Sequence, residues 1–265
     1  MLKFLLPLVL LALAPLTMTQ SEKPPLLRFE VGGETIQVPL PDGYLLATAE
    51  LGEALKQIQP NVAQTQRQLA LFLPKSVVAG IHEGEHPRIE SILSLQVPRA
   101  MEHTRFDRSS FTAVVLGDYD KLKEDIDSGQ NKSQKDKKGK EARAQESLRL
   151  LPPYLKASDV FGFTQLHSHS IEIEGKKQSV VEAEVYTVCN VSGIMLCIFH
   201  FGPEEQVRQG EAASSAWSRA ILAANPQPPE QSSGFGMSLM TRILIYSLIS
   251  GLAGLAVHFF LRRRS

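Results

Sequence analysis

The sequence is poor in cysteine and has no excess of either charge, and each shortage excludes a class of protein. Its 265 residues include only two cysteines, Cys189 and Cys197, which excludes a small scaffold held by several disulfides. Lysine and arginine total 28, as do aspartate and glutamate, so the basic excess typical of a nucleic-acid-binding protein is absent. A hydrophobic fraction of 43% excludes an intrinsically disordered chain.

The first 19 residues have the pattern of an export signal. Lys3 supplies the positive charge, and the apolar run from Phe4 to Leu16 is shorter than the roughly 20 residues that cross a bilayer. We therefore predict a signal peptide over residues 1–19, with an uncleaved anchor as the alternative. The low cysteine content favours export to a bacterial envelope.

A longer apolar run, Ile243 to Leu261, lies near the other end and carries no formal charge. As a helix it would extend about 28 Å, close to the hydrocarbon thickness of a bilayer. Three arginines, Arg262, Arg263 and Arg264, follow at once, and such a cluster stays in the cytoplasm. We predict a membrane helix over residues 237–261, a cytoplasmic tail over 262–265, and an extracytoplasmic domain before them.

Three small residues, Ser247, Gly251 and Gly254, share one face of the predicted membrane helix, where close approach of a second helix favours weak self-association. The alternative is that such residues are simply common in membrane helices. Residues 226–236 are rich in Pro, Gln, Ser and Gly and are predicted to be a spacer. A spacer, an apolar span and terminal arginines also resemble a bacterial sorting tail, which is the alternative to a permanent anchor.

Residues 26–225 are predicted to form an α+β domain with an antiparallel sheet flanked by helices. A hairpin is indicated around Gly32-Gly33, and further strands over residues 68–73, 89–97, 160–173, 178–189 and 194–201. Helices are indicated near 51–58 and 204–224, and from a cap at Ser109 or Ser110 to about Ile126. Apolar residues of this last helix form one stripe: Phe111, Val115, Tyr119, Leu122 and Ile126.

The segment from Ser128 to Ala144 breaks this composition with five lysines and almost no apolar residue. It is predicted to be a solvated loop or a frayed helix end. The alternative, a polyanion-binding site, has less support because Asp136 and Glu141 interleave with the lysines and no aromatic residue does.

The order of elements resembles the Mog1/PsbP-like α/β/α sandwich over residues 26–225. An early hairpin ends in the turn Pro41-Asp42-Gly43-Tyr44, a late meander ends in residues 196–201, and a C-terminal helix carries Trp217. The resemblance implies an antiparallel sheet between helices and a protein-binding role. It implies no catalytic residue.

Residues 82–86 match the pattern H-E-x-x-H, which in metalloproteases places two histidines on one helical face around zinc. Gly84 weakens a helix, and Pro87 disfavours the helical conformation at His86. We therefore predict a turn between strands here and no zinc site.

A second histidine pair, His167 and His169, alternates along a predicted strand. If Gly175-Lys176 forms the turn, His169 lies opposite Glu182 and His167 lies opposite Glu184, with all four side chains on one face. Such a patch suits zinc, and the alternative is simple His–Glu pairing on a solvated face.

Cys189 and Cys197 flank the next turn. A loop of two or four residues directs them to opposite faces, where they cannot form a disulfide, and a loop of three would make them a diagonal pair. Two buried thiols acting as small apolar groups are the favoured interpretation.

No well-placed catalytic set emerges, so the sequence predicts a non-enzymatic, membrane-anchored binding or scaffolding domain without a resident cofactor. Its expected partners are the bilayer and another envelope protein. Two alternatives stay open: a zinc-dependent function at the His/Glu patch, and a thiol redox function at the two cysteines.

Overall fold

The computed structural model describes residues 25–51, 64–135, 147–173 and 176–226. The predicted signal peptide, membrane helix and basic tail lie outside these ranges, as does most of the helix predicted near 51–58. Within the described ranges, no helix is both long enough and apolar enough to cross a membrane.

Ten strands and three α-helices make up the described domain, which confirms the predicted α+β class. The strands are β1 Leu26–Val31, β2 Glu34–Pro39, β3 Tyr44–Leu46, β4 Gln66–Pro74, β5 Ile92–Pro98, β6 Ser147–Leu150, β7 Leu155–Ala157, β8 Val160–Ile173, β9 Lys176–Val191 and β10 Ile194–Pro203. The helices are α1 Lys75–His82, α2 Arg108–Lys135 and α3 Val207–Ala224.

Eight of the strands form one antiparallel sheet in the order β3-β4-β5-β10-β9-β8-β6, with β7 also paired to β8. Strands β1 and β2 form a separate hairpin. The turn predicted at Gly32-Gly33 is confirmed, because Val31 pairs with Glu34 across it. Both glycines have positive φ, 56° and 86°, a conformation that favours residues without a Cβ atom.

The sheet lies between two apolar layers. On one face, α3 and the β1–β2 hairpin cover a core that includes Val38, Phe72, Ile198 and Trp217. On the other face, α2 packs its predicted stripe against aromatic residues of β8, β9 and β10. These residues are Phe161, Phe163, Tyr186 and Phe199. An antiparallel sheet between helices is the layering that the resemblance implies.

Helix α2 begins two or three residues earlier than its serines suggest. The backbone N–H of Ser110 donates to Asp107 Oδ1 at 2.6 Å, so Asp107 is the cap in place of Ser109 or Ser110. Hydrogen bonds from Ser110 lower the pKa of Asp107, and the resulting negative charge is favourable at a helix N-terminus. The helix continues to Lys135, so it includes residues 128–135 of the lysine-rich segment, for which a helix end was one of the two predicted alternatives.

His200 is a buried polar residue on the α3 side of the sheet. His200 Nε2 lies 3.0 Å from the hydroxyl of Tyr44, and its ring packs so closely on Gly210 that a Cβ there would come within 2.5 Å of Nδ1. Burial lowers the pKa of His200 to about 4, so the ring is neutral near pH 7.

Candidate functional site

The β8–β9 hairpin is in a different register from the one predicted. Ile173 pairs with Lys176, so His167 lies opposite Glu182, and Gln165 lies opposite Glu184. The shift is two residues, which leaves every side chain on its predicted face, because strand side chains alternate with a period of two. The apolar pattern cannot distinguish the two registers for the same reason.

The predicted partners nevertheless touch, as diagonal neighbours and not as directly opposed pairs. His167 Nε2 lies 3.5 Å from Glu184 Oε2, and His169 Nε2 lies 3.8 Å from Glu182 Oε1. The structure therefore brings the four predicted residues together in two histidine–carboxylate pairs.

These pairs are not on a solvated face, as simple pairing was expected to be. The four side chains are between 2% and 6% exposed. They occupy the α2 side of the sheet, beyond the aromatic residues against which α2 packs. Burial makes each pair costly to break, because removing one partner leaves the other polar group without compensation.

Two further polar residues belong to this site, and neither was predicted from the sequence. Gln165 is 1% exposed, and Asp118, on the buried side of α2, is 8% exposed. Asp118 lies between Val115 and Leu122 on the stripe. An acidic residue at a position expected to be apolar was the one feature of the sequence that could have indicated its role. We define the His/Glu cluster as Asp118, Gln165, His167, His169, Glu182 and Glu184.

Tyr186 lies close to acidic residues of both the helix and the strands of the cluster. Its pKa is raised first by burial and then by neighbouring groups, which include Asp118 and Glu184. Its hydroxyl lies 3.2 Å from Cys197 Sγ. The helix and the strands therefore contribute acidic groups to one buried region.

Two carboxyl groups of the cluster hold protons near neutral pH. Burial raises the pKa of Glu182 to about 8. Burial also raises the pKa of Asp118 to about 7, opposed by the positive charge of Lys121. Protonation avoids the cost of placing more negative charge in a poorly solvated site.

Several buried atoms of the cluster have no hydrogen-bond partner among the described residues. They are Gln165 Oε1, His167 Nε2, Glu182 Oε2 and Glu184 Oε2. In the same part of the chain, no three His, Cys, Asp or Glu side chains are placed to hold a metal ion. The four-ligand zinc site suggested by the sequence is therefore arranged as two pairs, and zinc binding stays a prediction.

The two cysteines lie on opposite faces of the sheet. Val191 pairs with Ile194, so the connecting loop is Ser192-Gly193 and has two residues. Cys189 belongs to the core beneath α3, Cys197 to the core beneath α2, and both are free thiols at 0% exposure. This is the arrangement predicted for a two-residue loop, and it gives the thiols no geometry for a disulfide.

The native protein should be almost inert to thiol reagents. Burial raises the pKa of Cys197 to about 12 and that of Cys189 further, so neither forms a thiolate near pH 7. Maleimide modification, followed by mass spectrometry, should show no adduct in native protein and two in urea. Modification of native protein at the rate of an exposed cysteine would contradict this and favour the redox alternative.

The H-E-x-x-H segment does not form a metalloprotease helix. Helix α1 ends at His82, and Gly84 has φ of 80°, so the two histidines do not share a helical face. The turn predicted here is confirmed at residues 83–84, but α1 precedes it where the sequence indicated only strands. Helix α1 has eight residues and buries Val77 and Val78, a stripe too short to give a clear helical period.

In comparisons with known proteins, no protein-family model matches this chain and no curated protein matches it.

Proposed function

We propose that this chain is a membrane-anchored extracytoplasmic binding or scaffolding domain that meets another envelope protein. One observation supports this proposal best: the C-terminal end of the described domain, at Asn225, lies at one pole of the sheet, and a long β-ribbon projects from the other. The sequence patterns for export and anchoring predict which side of the membrane the domain lies on and which of its ends is attached to the anchor.

Asn225 fixes the C-terminal end of α3 to strand β2 through two side-chain hydrogen bonds. Asn225 donates from Nδ2 to the backbone oxygen of Gln37 at 2.6 Å and accepts from the Gln37 N–H at 2.8 Å. Gln37 in turn pairs with Arg28 of β1. The last residues of α3 therefore lie beside β2, and β1 pairs with β2.

The ribbon leaves the sheet at the other pole. β10 ends opposite Glu182 and β6 begins opposite Ser168, while β8 and β9 continue to Ile173 and Lys176. At about 3.3 Å per residue, the pair extends about 20 Å beyond its neighbours. We define the ribbon as residues 169–173 and 176–181; among the described residues, no strand pairs with its outer edges.

Helix α3 connects the two poles. It starts just after β10, which runs toward the ribbon, and returns to Asn225. An anchor attached after Asn225 would therefore direct the ribbon away from the bilayer. Unpaired strand edges at such a position suit recognition of another protein through backbone hydrogen bonds.

The orientation predicts an asymmetric labelling pattern in cells. Gln178, an exposed ribbon residue, should react when changed to cysteine and treated with a membrane-impermeant maleimide outside intact cells or spheroplasts. Ser265→Cys should react only after permeabilisation, and the buried native thiols leave little background. Labelling of Ser265→Cys and not Gln178→Cys in intact cells would reverse the assigned topology.

The binding role predicts that crosslinks form at the ribbon. A photo-crosslinking amino acid at the exposed Ser179 should form a discrete adduct with one envelope protein in living cells. The matched control carries the same amino acid at Glu124, an exposed position on α2, and should form no such adduct. Equal adducts at both positions, or none at Ser179 in protein shown to be folded, would contradict a ribbon-directed partner.

A further inference from the structure

We propose that the His/Glu cluster binds a divalent transition-metal ion such as Zn²⁺ through His167, Glu184 and the side-chain oxygen of Gln165. This proposal is independent of the membrane anchor and of the partner of the ribbon. A bound ion would give the buried polar atoms of the cluster a partner that no other group in the described domain supplies.

Two atoms of the cluster lie at the separation of two zinc ligands. His167 Nε2 and Glu184 Oε2 lie 3.5 Å apart, and neither has a hydrogen-bond partner among the described residues. Zinc binds nitrogen and oxygen ligands at about 2.0–2.2 Å, which in a tetrahedron separates the ligand atoms by roughly 3.3–3.5 Å. An ion between these two atoms would satisfy both without moving the backbone.

Gln165 supplies a buried amide oxygen. It lies directly opposite Glu184 on the same face, and its Oε1 has no hydrogen-bond partner within the described ranges. A buried amide oxygen without a donor is rare in native proteins and costs stability unless a ligand meets it. An amide oxygen is also a metal ligand, so Gln165 supplies the third ligand that the His and carboxylate residues lack.

The chemistry of the three atoms selects the kind of ion. An imidazole nitrogen together with a carboxylate suits Zn²⁺ and its first-row neighbours, whereas Mg²⁺ and Ca²⁺ prefer oxygen ligands alone. Glu182 lies opposite His167, and its Oε2 also has no hydrogen-bond partner in the part of the chain that the structure describes. Glu182 or a water molecule completes a four-coordinate shell.

The test uses the full-length chain in detergent, stripped with a chelator and dialysed against Zn²⁺ alone. We expect one zinc per chain that survives gel filtration, a higher Tm with zinc than with chelator, and visible absorption bands when Co²⁺ replaces zinc. Glu184→Gln and His167→Gln should each weaken binding by more than the roughly 10–100-fold typical of outer-shell changes. Gln165→Leu should also weaken it.

A matched control separates this site from surface histidines. The double variant His82→Gln, His86→Gln removes the exposed H-E-x-x-H pair and should retain full binding. Loss of zinc in that variant, unchanged binding in Glu184→Gln, or metal-free wild-type protein after dialysis would each overturn the proposal. If the buried variants do not fold, Gln165→Glu provides the test: a carboxylate there should tighten Zn²⁺ binding, and unchanged affinity would count against the site.

Discussion

Raising the pH from 6.5 to 8.5 should lower the unfolding free energy of the metal-free protein by about 3 kcal/mol. The cause is the pair of buried carboxyl groups, Asp118 and Glu182, whose pKa values are raised to about 7 and about 8. Both groups keep a proton in the folded protein at pH values where the unfolded chain has already released it. Their stabilising effect is complete below the unfolded pKa and is lost as the pH rises through the folded one.

The window begins at pH 6.5 because His200 acts in the opposite sense below that value. Its folded pKa of about 4 lies under its ordinary value, so the unfolded chain binds a proton between pH 6.5 and 4 that the folded protein excludes. His200 therefore makes stability fall as the pH falls through this range. Above pH 6.5 the unfolded chain also loses this proton, so His200 offsets only about 0.4 kcal/mol and the two carboxyl groups dominate the slope.

Urea unfolding at half-unit pH intervals, with chelator present, measures this loss, which should also appear as a Tm decrease of about 6–12 °C. Glu182→Gln should remove about two thirds of the slope and Asp118→Asn most of the rest, because each amide keeps the shape of the acid without its ionisation. A flat profile in the wild type would show that these carboxyl groups ionise freely in the folded protein.

Replacing Trp217 by alanine should cost about 3–5 kcal/mol of stability. The indole is 3% exposed, packs edge-on against Phe72 at 5.1 Å, and donates from Nε1 to the backbone oxygen of Pro39 at 2.7 Å. It therefore holds together the helix, the sheet and the N-terminal hairpin. Its loss leaves both a cavity and a buried carbonyl without a donor.

Two comparison variants separate these contributions. Trp217→Phe keeps most of the ring and should cost about 1–3 kcal/mol, chiefly for the lost hydrogen bond. Arg219→Ala, at an exposed position on the same helix, should change stability by less than about 0.5 kcal/mol. Unfolding is followed by far-UV circular dichroism, since Trp217 is the only tryptophan. A cost near that of Arg219→Ala would show that the hairpin does not depend on this contact.

Local patterns were sufficient for most of the fold. The Gly32-Gly33 hairpin and the stripe from Phe111 to Ile126 follow from short-range chemistry, and both were predicted. Strands β3, β6 and β7 were not predicted. Each has only three or four residues, and so few positions give no usable alternation. Helix α1 was missed for a similar reason.

For the candidate site, the alternation of residues along the strands predicted which side chains share a face but not that they are buried. Alternation placed His167, His169, Glu182 and Glu184 on one face, and any even register preserves that result. Their burial could not be predicted, because it depends on how the layer that contains α2 lies over the sheet. Asp118 joins the cluster through that same tertiary packing, and no spacing in the sequence relates it to residue 182 or 184.

The hydrogen bonds between Asn225 and Gln37 have a consequence for engineering. Because Asn225 bonds to β2, which pairs with β1, a linker peptide could join residue 226 to residue 25, and new termini could be opened elsewhere. Opening the chain between β8 and β9 would place the new termini at the ribbon. A membrane segment fused there would attach the domain in the opposite orientation to the one proposed above, with its native surfaces intact and the ribbon facing the lipid.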